Sequence, residues 1–140
     1  MSNADTKLRE WHNTFGVPIL DRPQSPPEDR RRLRVDLIRE GFLEFCDASG
    51  LTELTPQRTY WGPGDVIEAA DALADLVYVI YGAALEWGIP LDAVFDEVHR
   101  SNMTKVWPDG TVHYRDDGKV IKPPTYSPAD VALILNCGIG

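Results

Sequence analysis

Five carboxylates in two stretches of the chain are the residues best placed to do chemistry. Glu68, Asp71 and Asp75 recur at i, i+3 and i+7 in a run from Val66 to Leu85 whose other side chains are apolar, glycine or tyrosine. At about 100° per residue these three acids share an arc of roughly 60°. No polar face exists there to explain them as surface charge, and burying unpaired carboxylates is costly or forces them neutral. Glu40 and Glu44 form the second set, beside Leu33, Leu37, Phe45 and Ala48, the expected inner face of another helix. Two helices would then aim carboxylates at one interior, which is how helical bundles build metal sites. Hard oxygen donors suit Mg²⁺, with Mn²⁺ as the alternative. A plainer reading stands beside this one. Acids on helices are usually solvated, Arg34 or Arg39 could pair with some of them, and Glu68 in a first helical turn complements the helix dipole.

The elements that must carry these residues are helical. Leu8, Trp11 and Phe15 have helical spacing in a first helix over 4–15, which Gly16 ends. A proline-punctuated connection follows to Pro27. Ser25-Pro26-Pro27-Glu28 predicts a second helix start, with Ser25 as cap, and that helix should reach Ala48. Residues 51–64 are turn-rich. From Asp65 to Trp87 the chain reads as a helix buried on most sides, stopped at Gly88. Pro90 and Asp92 open a fourth helix that ends between Asn102 and Lys105. Residues 107–124 carry Asp-Gly turns at 109–110 and 117–118 and predict a small hairpin or an irregular excursion. Ser127-Pro128-Ala129-Asp130 repeats the capping pattern before a short last helix. The fold class expected is all-α, a four-helix-bundle-like arrangement in a single domain over 1–140.

Bulk properties narrow the function. The formal net charge of -8 argues against a nucleic-acid binder, which needs a basic face. It leaves a nucleotide enzyme open, since a divalent cation can supply local positive charge. Cys46 and Cys137 are too few for a disulfide framework and lie in no zinc-binding spacing. The N-terminus has no signal-like apolar core, and acids interrupt the longest apolar stretch, so no membrane span and a cytoplasmic setting are expected. No phosphate loop of the Walker type is present.

With these residues in place, the sequence resembles the MazG-like and phosphoribosyl-ATP pyrophosphohydrolase superfamily of all-α nucleotide hydrolases. That group carries an EExxE motif on one helix and ExxD on the next. Here the first reads Glu40-Gly41-Phe42-Leu43-Glu44, and the second is Glu68-Ala69-Ala70-Asp71 or the frame ending at Asp75. The stretch Glu97-Val98-His99-Arg100-Ser101-Asn102-Met103-Thr104-Lys105, then Asp117-Gly118-Lys119-Val120, is similar to a bacterial and phage subgroup. The resemblance covers about 11–130. It departs at Gly41, which replaces a glutamate that usually binds metal, and at Ala72, which stands where a glutamate would be if Asp75 is the motif aspartate.

The resemblance implies a metal-dependent nucleoside triphosphate pyrophosphohydrolase that cleaves the α-β phosphoanhydride of an NTP or dNTP to the monophosphate and pyrophosphate. It implies metal ligation by Glu40, Glu44, Glu68, Asp71 and Asp75, with Glu40 and Glu44 catalytic and Glu40 the group that orients water or takes its proton. Arg100, Asn102, Lys105 and Lys119 would contact the substrate, and Lys122 could join them. A homodimer or homotetramer is implied as well. The same residues leave room for other readings. Arg100 and Lys105 could simply complement a helix C-terminus, and Lys119 and Lys122 could be solvated. His99 reads as a hydrogen-bonded structural residue. Trp11 and Trp61 could stack a base or pack in a core, and Tyr78, Tyr81 and Met103 read as packing. Gly41 and Ala72 would also suit a weakened relative that binds nucleotide or metal, or acts as an interaction module, without turnover. A purely structural bundle is the third reading.

Overall fold

The computed structural model describes residues 1–52, 59–60 and 62–137. The chain packs as two compact units, 1–89 and 90–140. The first contains α1 (Asn3–Phe15), α2 (Glu28–Ala48), α3 (Val66–Trp87) and a two-residue antiparallel ladder, β1 (Leu51–Thr52) with β2 (Thr59–Tyr60). The second contains α4 (Leu91–Met103) and α5 (Val131–Cys137). The all-α expectation holds.

Local chemistry accounts for the helix ends, with two corrections. The Asp65 carboxylate accepts from the backbone N–H groups of Ile67 and Glu68 and caps α3, which contributes about 1 kcal/mol. Ser25 does not cap α2. Its N-cap is Pro27, with no side-chain cap bond, because two prolines hold the chain extended until Glu28. At α5 the cap is Asp130, not Ser127: its carboxylate accepts from Leu133 N at 3.0 Å. Residues 107–124 are irregular, with the isolated bridge Tyr114–Val120 in place of a strand pair. Among the described residues no helix is long and apolar enough to cross a membrane.

In the first unit α3 packs against both α1 and α2. The buried stripe of α2 is Arg34, Gly41 and Ala48, offset from the apolar face read from sequence, and Leu33 is exposed. The stripe shifts because Arg34 enters the core to meet Glu86, which is 1% exposed. Arg34 Nε donates to one carboxylate oxygen of Glu86, and Arg30 Nε donates to the other at 2.6 Å. Gly82 makes the room: a Cβ there would lie 2.7 Å from Arg34 Nη1. Burial alone would raise the Glu86 carboxyl, but the two guanidinium groups outweigh it and hold it below the ordinary glutamate range.

His12, 1% exposed, lies next to this pair. Its Nδ1 is 3.0 Å from Pro18 O. A carbonyl can only accept, so Nδ1 carries the hydrogen and Nε2 is bare, with no partner among the described residues. Leu8 shares this inner face of α1, whereas Trp11 and Phe15, expected with it, are exposed. Burial lowers the His12 pKa, the Pro18 bond opposes that, and the Arg34 charge adds to the lowering. The unfolded chain therefore takes up a proton at about pH 6.5 that folded His12 refuses. Stability is fully present above that value and falls as the pH drops below it. Melting temperatures followed from pH 7.5 to 5.0 should decline, and His12→Asn should flatten the decline; equal slopes would contradict the assignment.

Candidate metal and nucleotide site

The site follows from how α2 lies on α3. Arg34 meets Glu86 at one end, Gly41 faces Leu76 in the middle, and Ala48 O accepts from Asp65 N at 2.7 Å at the other. The two helices are thus antiparallel. This register sets Glu40 toward Asp75 and Asp47 toward Glu68, with Glu44 between. Glu44, Asp47, Glu68, Asp71 and Asp75 line one open concavity of about 720 Å³, floored by Gly62, Pro63 and Gly64. Glu40 lines a narrower adjoining recess of about 160 Å³ with Gly41, Glu44, Asp75 and Tyr78. Glu44 and Asp75 belong to both.

All five acids singled out in the sequence are brought together, but by a different arrangement from the one expected. Glu40, Glu44, Glu68, Asp71 and Asp75 are exposed in the chain, not enclosed. Helix α3 is not covered on most sides either: Leu73, Val77 and Ile80 are exposed with them. The apolar composition of α3 exceeds what two neighbouring helices can cover, and the acids follow the open side. None of the five has an ion-pair or hydrogen-bond partner among the described residues. Arg34 is taken by Glu86 and Arg39 makes no ion pair among the described residues, so neither arginine pairs with these acids there.

The glycine of the first motif has a packing reason. A Cβ at Gly41 would lie 2.9 Å from Leu76 Cδ2 and 3.1 Å from its Cγ. Glycine lets α2 approach α3 at the level of Asp75. Ala72 is buried against the same interface at 3% exposure, so the wall residues of the second motif are Glu68 and Asp71, with Asp75 one turn on. Sequence reasoning missed Asp47 and Asp65, which also line the concavity. Asp47 could have been found, since it continues the Glu40, Glu44 spacing to i+7. Tyr78, read as packing, lines the narrower recess.

Among the described residues no three His, Cys, Asp or Glu side chains converge into a closed metal cage. The donor set still fits Mg²⁺, which keeps several waters and is commonly held by one or two carboxylates together with substrate phosphates. Unpaired like charges on facing helices also favour a cation between them.

In the second unit Arg100 is already engaged. It pairs with Glu97 at 2.6 Å and donates to Ser127 Oγ and Pro128 O. Ser101 Oγ donates to Ser127 O at 2.8 Å, and Glu97 accepts from Asp130 N at 3.1 Å. The Arg-Ser part of the motif thus fastens residues 126–130 to α4. Asn102, Lys105 and Lys119 make no side-chain hydrogen bond among the described residues, and Lys122 lies 4.6 Å over the Tyr126 ring. His99 is exposed and makes no hydrogen bond among the described residues. Trp61 lies outside the described residues.

The sequence profile of the phosphoribosyl-ATP pyrophosphohydrolase family matches residues 8–102, a span containing both acidic helices. The chain belongs to the phosphoribosyl-ATP pyrophosphohydrolase family. No curated protein matches it. A solved structure from Exiguobacterium sp. 255-15, named as a candidate NTP pyrophosphohydrolase, is 26% identical over 99% of this chain and 94% of its own, with a TM-score of 0.46. Membership makes Gly41 the informative departure. Restoring the motif's second glutamate with Gly41→Glu should lower stability by about 1–3 kcal/mol through overpacking, and further through burial of a charge. Urea unfolding reads this directly, and an unchanged midpoint would contradict the packing explanation.

Proposed function

We propose that this family member is a metal-dependent nucleoside triphosphate pyrophosphohydrolase that cleaves the α-β phosphoanhydride of an NTP or dNTP. The observation that carries the reading is the pair of facing carboxylate walls, Glu40 and Glu44 on α2 against Glu68, Asp71 and Asp75 on α3, without ion-pair partners among the described residues. Glu44, Glu68, Asp71 and Asp75 would hold Mg²⁺ or Mn²⁺, with Glu40 able to join them. The cation supplies charge neutralisation at the phosphates and a more acidic water. Glu40, in the narrower recess, orients the attacking water and accepts its proton, with Glu44 beside it. Water adds to the α-phosphorus, the bond from that phosphorus to the α-β bridging oxygen breaks, and the products are nucleoside monophosphate and pyrophosphate. Phosphoryl chemistry of this kind needs positioning and charge stabilisation more than covalent help.

Asn102, Lys105 and Lys119 are assigned as substrate contacts on chemical grounds, since their side chains make no hydrogen bond or ion pair among the described residues. Arg100 is the weakest of the four candidates because its guanidinium is engaged. Assembly as a homodimer or homotetramer is supported by the exposed apolar side chains of α3, Val66, Ile67, Leu73, Val77 and Ile80. The cytoplasm is the setting proposed for this nucleotide-pool activity. The glycine at 41 does not by itself favour a catalytically weakened relative, because its contact with Leu76 accounts for it.

Pyrophosphate release from the common NTPs and dNTPs and from phosphoribosyl-ATP tests the reading. Release should require Mg²⁺ or Mn²⁺, stop with EDTA, and fall about 10²–10⁴-fold in Glu40→Gln. Asp75→Ala should abolish it. Metal-independent release, or none across the panel, would overturn the proposal.

A further inference from the structure

The narrower acid recess and a second depression share one lining residue. Tyr78 lines the recess with Glu40, Glu44 and Asp75, and it also lines a depression of about 390 Å³ between α1 and α3. The other side of that depression is α1, with Trp11 and Phe15 as its aromatic residues and Lys7, Glu10 and Thr14 as its polar ones. Trp11 and Phe15 lie 4.7 Å apart between centroids with their planes tilted by 33°, and Tyr78 meets Trp11 edge-on at 6.4 Å and 89°. These rings are not core. Trp11 is 37% exposed, Phe15 64% and Tyr78 37%. The depression's volume falls at the lower end of the range usual for small-molecule sites.

We infer that this aromatic depression receives the base of the nucleotide, with Trp11, Phe15 and Tyr78 as the residues that bind it and Lys7 and Glu10 as those that read its edge. The inference rests on the proposed pyrophosphohydrolase reading, since it takes the acid walls as the place where the triphosphate is cut. Three features select a base over another occupant. The rings offer π-faces, on which every base can stack whatever its sequence identity. The polar rim holds a cation without an ion-pair partner among the described residues, Lys7, and a carboxylate, Glu10. It can therefore both donate to and accept from the edge of a heterocycle, which a plain apolar partner would not use. Tyr78 lies three residues beyond Asp75 on α3, less than one helical turn. A nucleotide with its phosphates at Asp75 would therefore have its base end beside Tyr78. Thr14 spends its hydroxyl hydrogen on Glu10 O at 2.8 Å, which leaves Lys7 and Glu10 as the free edge-reading groups.

The test compares wild type with Trp11→Ala and Tyr78→Ala in two measurements, after circular dichroism has verified their folding. In the first, KM and kcat are measured for each nucleotide that the wild type cleaves. Trp11→Ala should raise KM about ten-fold for every base, the order expected of one lost stacking partner, while kcat changes little. Tyr78→Ala removes the ring shared by the two depressions and should raise KM as well. In the second, tryptophan fluorescence is titrated with nucleoside 5′-monophosphates without metal, and quenching should be lost in Trp11→Ala. This second measurement separates the two claims. If the wild type cleaves nothing but Trp11-dependent quenching persists, the pyrophosphohydrolase reading fails and base binding stands. If the wild type cleaves and Trp11→Ala leaves KM and quenching unchanged, the base site is overturned alone. A change in sedimentation of Trp11→Ala with unchanged KM would overturn it too, giving the depression to a second copy of the chain.

Discussion

Glu86 on α3 is almost wholly buried and is gripped by Arg34 and Arg30 from α2, and the site depends on where that grip falls. Taking these groups out of water costs several kcal/mol per ion, and the pairing returns that energy only with good geometry and satisfied hydrogen bonds. Both carboxylate oxygens of Glu86 are satisfied here. Removing one partner from such a group costs about 3–5 kcal/mol, whereas replacing the whole cluster by apolar residues is often neutral. The cluster therefore contributes most by penalising any other register of α2 on α3. Sliding either helix by one residue would turn these groups away from one another.

Register is what the acid walls require. With Arg34 fixed on Glu86 and Gly41 against Leu76, the carboxylates of α2 can only face those of α3. The same helices carry two kinds of acid for opposite reasons. Glu86 is buried and satisfied within the chain, while Glu40, Glu44, Glu68, Asp71 and Asp75 are exposed and have no ion-pair partners among the described residues. Like charges crowded on facing helices repel and weaken the folded state. A fold that keeps them there leaves that repulsion to be relieved by something bound between the walls. The glycine at 41 belongs to the same design: it sits where backbone approach matters more than a further carboxylate.

Much of this was legible in the sequence. The i, i+3, i+7 acids in an otherwise apolar run and the Glu40, Glu44 pair identified both walls, and the helical spans of α1, α3 and α4 followed from periodicity and caps. What was not legible depended on pairing over a distance. Arg34 reads as a possible partner of the wall acids until Glu86, far along the chain, is placed opposite it, and that pairing rotates the inner face of α2 away from Leu33. His12 displaces Trp11 and Phe15 from the core for a similar reason, its Nδ1 being satisfied by Pro18 O across a proline turn. Exposure of the acids was misjudged because an apolar helix was assumed to be a covered one. Arg100 reads as a substrate contact because its acceptors, Ser127 Oγ and Pro128 O, lie in a segment without periodicity.

The central claim is that the two carboxylate walls jointly hold a divalent cation. Electron paramagnetic resonance of Mn²⁺ titrated with the protein tests it most directly, because the free ion's signal falls as it binds, with no substrate needed. The account predicts saturable loss of signal, competed by Mg²⁺, and abolished by Asp75→Asn on α3 as well as by Glu44→Gln on α2. Binding that survives both substitutions, or no binding by the intact chain, would contradict it.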